Sequence, residues 1–145
     1  MQRFIRKLIA PRFSTFLLKN ARVVNSDLSF TSDVLIEHGK IAALSSNLTH
    51  KTAKVIDCTD KMLIPGGIDP HVHMEFEFMG TTTKDNFDSG SNVALAGGTT
   101  SFIDFAIPNR NQTLSEAYNI WRSRADGRVN CDYALHSCIT NWKDG

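Results

Sequence analysis

The sequence predicts an α/β protein: a smaller β-rich unit followed by a series of parallel β/α units. Two observations carry this expectation. Residues 15–64 hold short apolar runs separated by turn residues, with no stretch of helical period. After Pro65-Gly66-Gly67 the pattern changes to strand, helix, strand, helix, strand, the signature of parallel β/α units. Three such units are too few to close an eight-stranded barrel, which takes about 250 residues.

In chain order, Phe16-Leu17-Leu18 and Arg22-Val23-Val24 read as short strands on either side of a Lys19-Asn20-Ala21 step. Residues 33–37 and 41–44 are apolar runs joined through His38-Gly39-Lys40, a hairpin signal. Lys54-Val55-Ile56 and Met62-Leu63-Ile64 add two more strands. Asp85 is placed to cap a helix over about 86–96 that Gly97-Gly98 stops. Thr99 to Phe105 is a β-branched and aromatic run expected to form a buried strand. Thr113 and Glu116 stand three apart as a capping box, and Leu114, Ala117, Tyr118, Trp121 and Ala125 follow at helical spacing. Tyr133 to Ser137 gives the third strand.

Composition narrows the function classes. The chain has 145 residues, net charge +1, 41% hydrophobic and 21% charged side chains, which excludes a collagen, a disordered tail or a disulfide-dense miniprotein. No apolar run reaches membrane-spanning length, so no membrane partner is expected. The near-zero charge argues against a general nucleic-acid binder. It also hides an asymmetry. Residues 1–20 carry +5 with no acid, and the rest carries 11 bases and 15 acids, or −4. Residues 1–14 therefore read either as a transit peptide, placing the protein in mitochondria, or as a plain basic extension of a cytoplasmic one. Cys58, Cys131 and Cys138 match no zinc-finger spacing and are expected to be reduced, packed thiols.

The sharpest local feature is Asp69-Pro70-His71-Val72-His73. On a strand, residues two apart face the same side, so His71 and His73 would aim both imidazoles at one point. A pair of neutral imidazoles suits zinc and can fill two corners of its site. Asp69 shares their parity and is expected to orient a ligand from behind. His38 and His50 read as solvated loop residues, and His136 as a packed, hydrogen-bonded strand residue. Glu75 and Glu77 read as loop carboxylates. Asp104, in an apolar strand, is a buried polar group that must find a hydrogen-bond partner. No G-x-S-x-G, phosphate-binding glycine loop or C-x-x-C occurs, so nucleophile and nucleotide chemistry lack support.

The run Met62-Leu63-Ile64-Pro65-Gly66-Gly67-Ile68-Asp69-Pro70-His71-Val72-His73 resembles the amidohydrolase superfamily. Phe78-Met79-Gly80-Thr81, Asp85-Asn86-Phe87, residues 94–100, Ile103-Asp104-Phe105, Glu116-Ala117-Tyr118, Trp121 and residues 132–136 narrow the resemblance to dihydropyrimidinases and hydantoinases. It covers residues 16 to 145. The resemblance implies an incomplete (β/α)8 TIM-type barrel, its first three strands in residues 65–145, preceded over 15–64 by part of a small β-sandwich. It further implies two zinc ions bridged by hydroxide and by a carboxylated lysine. Such a centre opens the cyclic amide of 5,6-dihydrouracil, dihydrothymine or a hydantoin to an N-carbamoyl amino acid, a step of pyrimidine catabolism. By the same resemblance His71 and His73 bind the more buried metal. Phe76 and Phe78 fall in the loop bordering the substrate's ring substituent, and the whole protein is a homotetramer. The family's lysine, its later histidines and its catalytic aspartate have no counterpart up to Gly145. No catalytic residue is therefore assigned, and the chain is expected to be the front of a longer hydrolase, inactive alone.

Two alternatives stay open. A dihydroorotase grips its anionic substrate with an arginine just after the histidine pair. Here Met74-Glu75-Phe76-Glu77 occupies that place, although Phe105 to Asn109 does resemble that family's asparagine-bearing segment. A dihydropyrimidinase-related adaptor would keep the fold and lose metal ligands, against which the intact His71 and His73 speak.

Overall fold

The computed structural model describes residues 14–140. The basic leader expected over residues 1–14 thus lies, apart from Ser14, outside the described residues. Contacts divide the chain into one unit ending at Pro65 and another beginning at Gly66.

The first unit is a five-stranded mixed sheet. Strands β1 (Phe16–Val24), β2 (Ser29–Glu37) and β3 (Lys40–Ser45) form an antiparallel run, while β4 (Lys54–Asp57) and β5 (Met62–Leu63) pair β1 in parallel. The β2–β3 connection is the two-residue turn His38-Gly39 with φ of 52° and 73°, the double left-handed pair that matches strand twist. The two strands expected around Lys19-Asn20-Ala21 are instead one strand with a bulge. Asn20 adopts φ 59°, and its N–H bonds to Asp33 Oδ1 at 2.8 Å rather than to the ladder. The other Asp33 oxygen accepts Lys19 Nζ at 2.5 Å and the Leu48 N–H at 2.9 Å. Leu17, Ala21, Val23 and Val34 form the buried core of this unit.

In the second unit, β6 (Gly67–Val72), β9 (Thr99–Ala106) and β10 (Asp132–Ser137) lie in parallel, in the order β6-β9-β10. A small hairpin, β7 (Glu77–Phe78) and β8 (Thr81–Thr82), comes after β6 and turns at Met79-Gly80, both at positive φ. Strands of two residues leave no pattern to read, so the sequence shows this segment only as loop. Helix α1 (Phe87–Ala96) joins β6 to β9, and α2 (Leu114–Ala125) joins β9 to β10. The cap of α1 is Asn86, one residue later than expected: its side chain accepts the Asp88 and Ser89 N–H groups, and Ser89 returns a bond to the Asn86 N–H. Asp85 instead accepts the Ser89 hydroxyl. The box at Thr113 and Glu116 forms as the sequence predicts.

One face of the parallel sheet packs on the helices. Phe102 and Ala106 of β9 meet Phe87, Trp121 and Ala125 there, with Val72, Tyr133 and Leu135 partly buried beside them. Burial and its bond to Asp126 push the Tyr133 hydroxyl up to about 12. The alternate residues of β9 and β10, among them Phe105 and His136, lie on the other face. Gly66 and Gly90 mark close approaches: a Cβ on Gly66 would meet Thr100 Oγ1 at 2.1 Å, and one on Gly90 would meet Met74 Sδ at 2.3 Å. Cys58, Cys131 and Cys138 are free thiols, of which Cys58 is buried. No helix among the described residues is long and apolar enough to cross a membrane.

Candidate functional site

The histidine pair sits where β6 runs out, at the carboxyl end of a parallel strand, the position where βα loops carry active sites. Its backbone is not a regular strand. Asp69 pairs Phe102 and Val72 pairs Asp104, so β6 spends three residues against two of β9. Pro70 has no N–H for a ladder, and the Asp69 carboxylate accepts the His71 N–H at 3.1 Å. The bulge changes the parity expected for Asp69. In register with Phe102, Asp69 belongs to the helix side of the sheet, whereas His71 and His73 lie against the Phe105 ring on the other side, at 4.4 and 5.4 Å between centroids. Asp69 therefore reaches His71 through the backbone and not through its ring.

Beyond the bulge, alternation returns and the two imidazoles converge. His71 Nε2 and His73 Nε2 are 3.3 Å apart, with the rings nearly perpendicular. Phe76 covers His73 at 5.1 Å, and Phe78 stacks on Phe76. Phe76, Phe78, Ile107, Asn109, Trp121 and Arg124 are among the residues lining an adjacent cleft of about 340 Å³. The His73 Nδ1 is buried without a hydrogen-bond partner. His136 is exposed and lies on the far side of Phe105, at 4.8 Å, rather than packed as the sequence suggested. His50, expected to be solvated, accepts the Thr52 and Ala53 N–H groups at Nδ1 and meets Glu37 through Nε2. No group of three or more His, Cys, Asp or Glu placed to hold a metal occurs among the described residues.

The segment just past the pair, Met74 to Phe76, is held more tightly than the sequence showed. Met74 N–H donates to Asp104 Oδ2 at 2.8 Å, and Phe105 N–H donates to Asp104 Oδ1 at 2.5 Å. Burial pushes the Asp104 carboxyl above its ordinary value; these two amides and the nearby His73 pull the other way. Glu75, at φ 50°, is a hub rather than a free loop carboxylate. Its Oε1 pairs with Arg128 and accepts the Phe87 N–H, its carbonyl accepts from Arg124, and its N–H donates to the Asp85 carbonyl. Phe76 N–H is taken by Thr83 Oγ1 at 2.9 Å. The only sequence signal for this scaffold was a lone aspartate inside an apolar strand.

No protein-family model matches the chain. A dihydropyrimidinase of Dictyostelium discoideum is 54% identical over 131 residues, 90% of this chain and 26% of that protein. Dihydropyrimidinase-related protein 5 of Rattus norvegicus is 46% identical over 127 residues, 87% of this chain and 22% of that protein. A crystal structure of a D-hydantoinase superposes with a TM-score of 0.85 at 40% identity, over 90% of this chain and 28% of that one. The chain spans about a quarter of the length of the curated relatives it matches. Over about nine-tenths of its length, then, this chain is a homologue of the dihydropyrimidinases and D-hydantoinases, with the α/β fold of their N-terminal region.

Proposed function

We propose that this chain supplies the front of a zinc-dependent cyclic amidohydrolase of dihydropyrimidinase type, with His71 and His73 as two ligands of its metal. The observation that carries the reading is the 3.3 Å separation of the two Nε2 atoms at a parallel strand's carboxyl end. Two nitrogens on one tetrahedral zinc, each about 2.0–2.1 Å from the ion, lie about 3.3–3.4 Å apart. The donor set fits in type and spacing and is half complete, so the working centre takes its other ligands from outside the described residues. The buried His73 Nδ1 likewise calls for an acceptor, the usual companion of a metal-bound imidazole. A zinc held there would polarise a ring carbonyl and lower the pKa of water.

On this reading Asp69 fixes His71 through its amide. Phe76 and Phe78 give the substrate's ring substituent an apolar wall, and residues 65–145 are the first three β/α units of a barrel. Residues 15–64 are part of a β-sandwich, in keeping with the exposed Ile41, Leu44, Val55 and Met62 of that unit. Neutral rings such as dihydrouracil fit better than dihydroorotate, because the segment Met74-Glu75-Phe76-Glu77 that follows the pair offers no arginine to grip an anion. Glu75, one of the two carboxylates in that segment, is paired with Arg128, so its charge adds little repulsion toward an anion.

Zinc titrated into the 145-residue chain is expected to move the His71 and His73 ring resonances together and leave His38 unmoved. Silence at both rings sinks the metal reading. The chain alone, with zinc, is expected not to hydrolyse dihydrouracil, and measurable turnover would overturn that. The 46% identity to a dihydropyrimidinase-related protein keeps a non-catalytic adaptor as the second reading. Zinc analysis of a longer protein carrying this chain separates the two: stoichiometric metal favours the hydrolase, none the adaptor.

A further inference from the structure

We propose that Asp104 is a positioning residue for the histidine pair, holding His73 in place through the backbone of the residue next to it. The proposal rests on the metal reading for its purpose, and on geometry for its content. His73 lies one residue past the end of β6, so the segment it starts has no strand partner of its own in β9. The next N–H, that of Met74, goes to Asp104 Oδ2, from a side chain on the central strand of the sheet that is 1% exposed. The second Asp104 oxygen is anchored by the Phe105 N–H, and the Phe105 ring is the surface on which both imidazoles rest. One carboxylate thus ties the peptide after His73 to the peptide that carries the ring beneath it.

Met74 is fixed a second time by its side chain, which fills the notch left by the missing Cβ of Gly90 on α1. No cation is paired with Asp104 among the described residues, unlike Asp33, so charge pairing does not account for a carboxylate at this depth. Leucine would fill the space with less desolvation. Only an acceptor with two lone-pair-bearing oxygens meets both N–H groups at once. His71 is held by the same device, since the Asp69 carboxylate accepts its N–H. Both imidazoles are aimed by carboxylates acting on backbone amides, which leaves their Nε2 atoms clear to face each other.

The test compares the 145-residue chain with D104N and G90A by NMR, alongside T113A as a control for lost stability at a distance. In the wild type, nuclear Overhauser contacts from the His73 ring to Phe105 and Phe76 and a strongly downfield Met74 amide proton are expected. D104N should lose the downfield shift and weaken the contacts, and G90A should weaken the contacts with the amide bond kept. T113A should change neither. Unaltered His73 contacts in folded D104N overturn the proposal. Should D104N not fold, a Met74 amide proton without a downfield shift in the wild type overturns it. Zinc titration of the same samples adds a second arm, with about a tenfold loss of affinity expected for D104N. If wild type binds no zinc, the metal reading falls while the ring contacts still decide the positioning role.

Discussion

Each unit of this molecule buries one aspartate deep in a sheet, and the two are held in opposite ways. Asp33 in the first unit, 3% exposed, accepts an ammonium and two backbone amides, and these hold its carboxyl below the ordinary value of 3.8, the Lys19 hydrogen bond most strongly. Asp104 in the second, equally buried, accepts only amides, and burial pushes its carboxyl above that value. Asp33 pins a bulge in a strand of the first unit, where a neutralised charge serves stability. Asp104 holds the peptide beside His73, where an unneutralised charge costs stability and sets geometry. A buried acid without a cation is the better pointer to a site, because folding alone gives no reason to keep it.

The largest effect should come from breaking the paired member. D33A strands the Lys19 ammonium and the Asn20 and Leu48 N–H groups, and is expected to cost about 3–4 kcal/mol in urea unfolding. K19M, which gives Asp33 the cation-free surroundings of Asp104, should cost about 2 kcal/mol. It should also raise the pH at which the Asn20 and Leu48 amide shifts titrate; an unchanged midpoint would remove the contrast between the two aspartates. D104N should cost about 1 kcal/mol, well short of D33A, while disturbing His73 more. A D104N cost equal to that of D33A would make Asp104 a structural residue first.

Acid distinguishes the pair by sign. Asp33, with its folded pKa lowered, lends stability that is complete above the unfolded value of 3.8 and disappears as pH falls through the folded one. Asp104 has a raised folded pKa, so its contribution is greatest below 3.8 and declines as pH rises through the folded value. Amide shifts of Asn20 and Met74, tracked over the same titration, should therefore move on opposite sides of 3.8. The smallest effects belong to the helix caps, where N86A and T113A should each cost about 0.5 kcal/mol without touching either aspartate.

Much of the fold was legible where local chemistry decides it. The Thr113–Glu116 box, the His38-Gly39 turn and the apolar run of β9 each form as read, because caps, double left-handed turns and β-branched strands depend on neighbours within a few residues. The bulges at Lys19-Asn20 and Pro70-His71 were not legible, since an extra residue in a strand shows only against its partner's register. That is why Asp69 was expected on the histidine side and is found in register with the helix side. The cap of α1 moved by one residue because Asp85 and Asn86 are both competent, and Ser89 serves both.

For the candidate site, the sequence by itself determined the ligand types and their spacing: two imidazoles two residues apart at a strand's end, and the kinship of the motifs around them. Tertiary structure decided what holds them. Glu75 becomes a hub only because α2 and the turn after it bring Arg124 and Arg128 to it from about fifty residues away. Asp104 reaches the Met74 amide, thirty residues back, only because β9 lies beside β6. Side-chain chemistry and strand parity are properties of a residue and its near neighbours. The acceptor that receives a given amide depends on which strand lies alongside, and that is settled only when the sheet assembles.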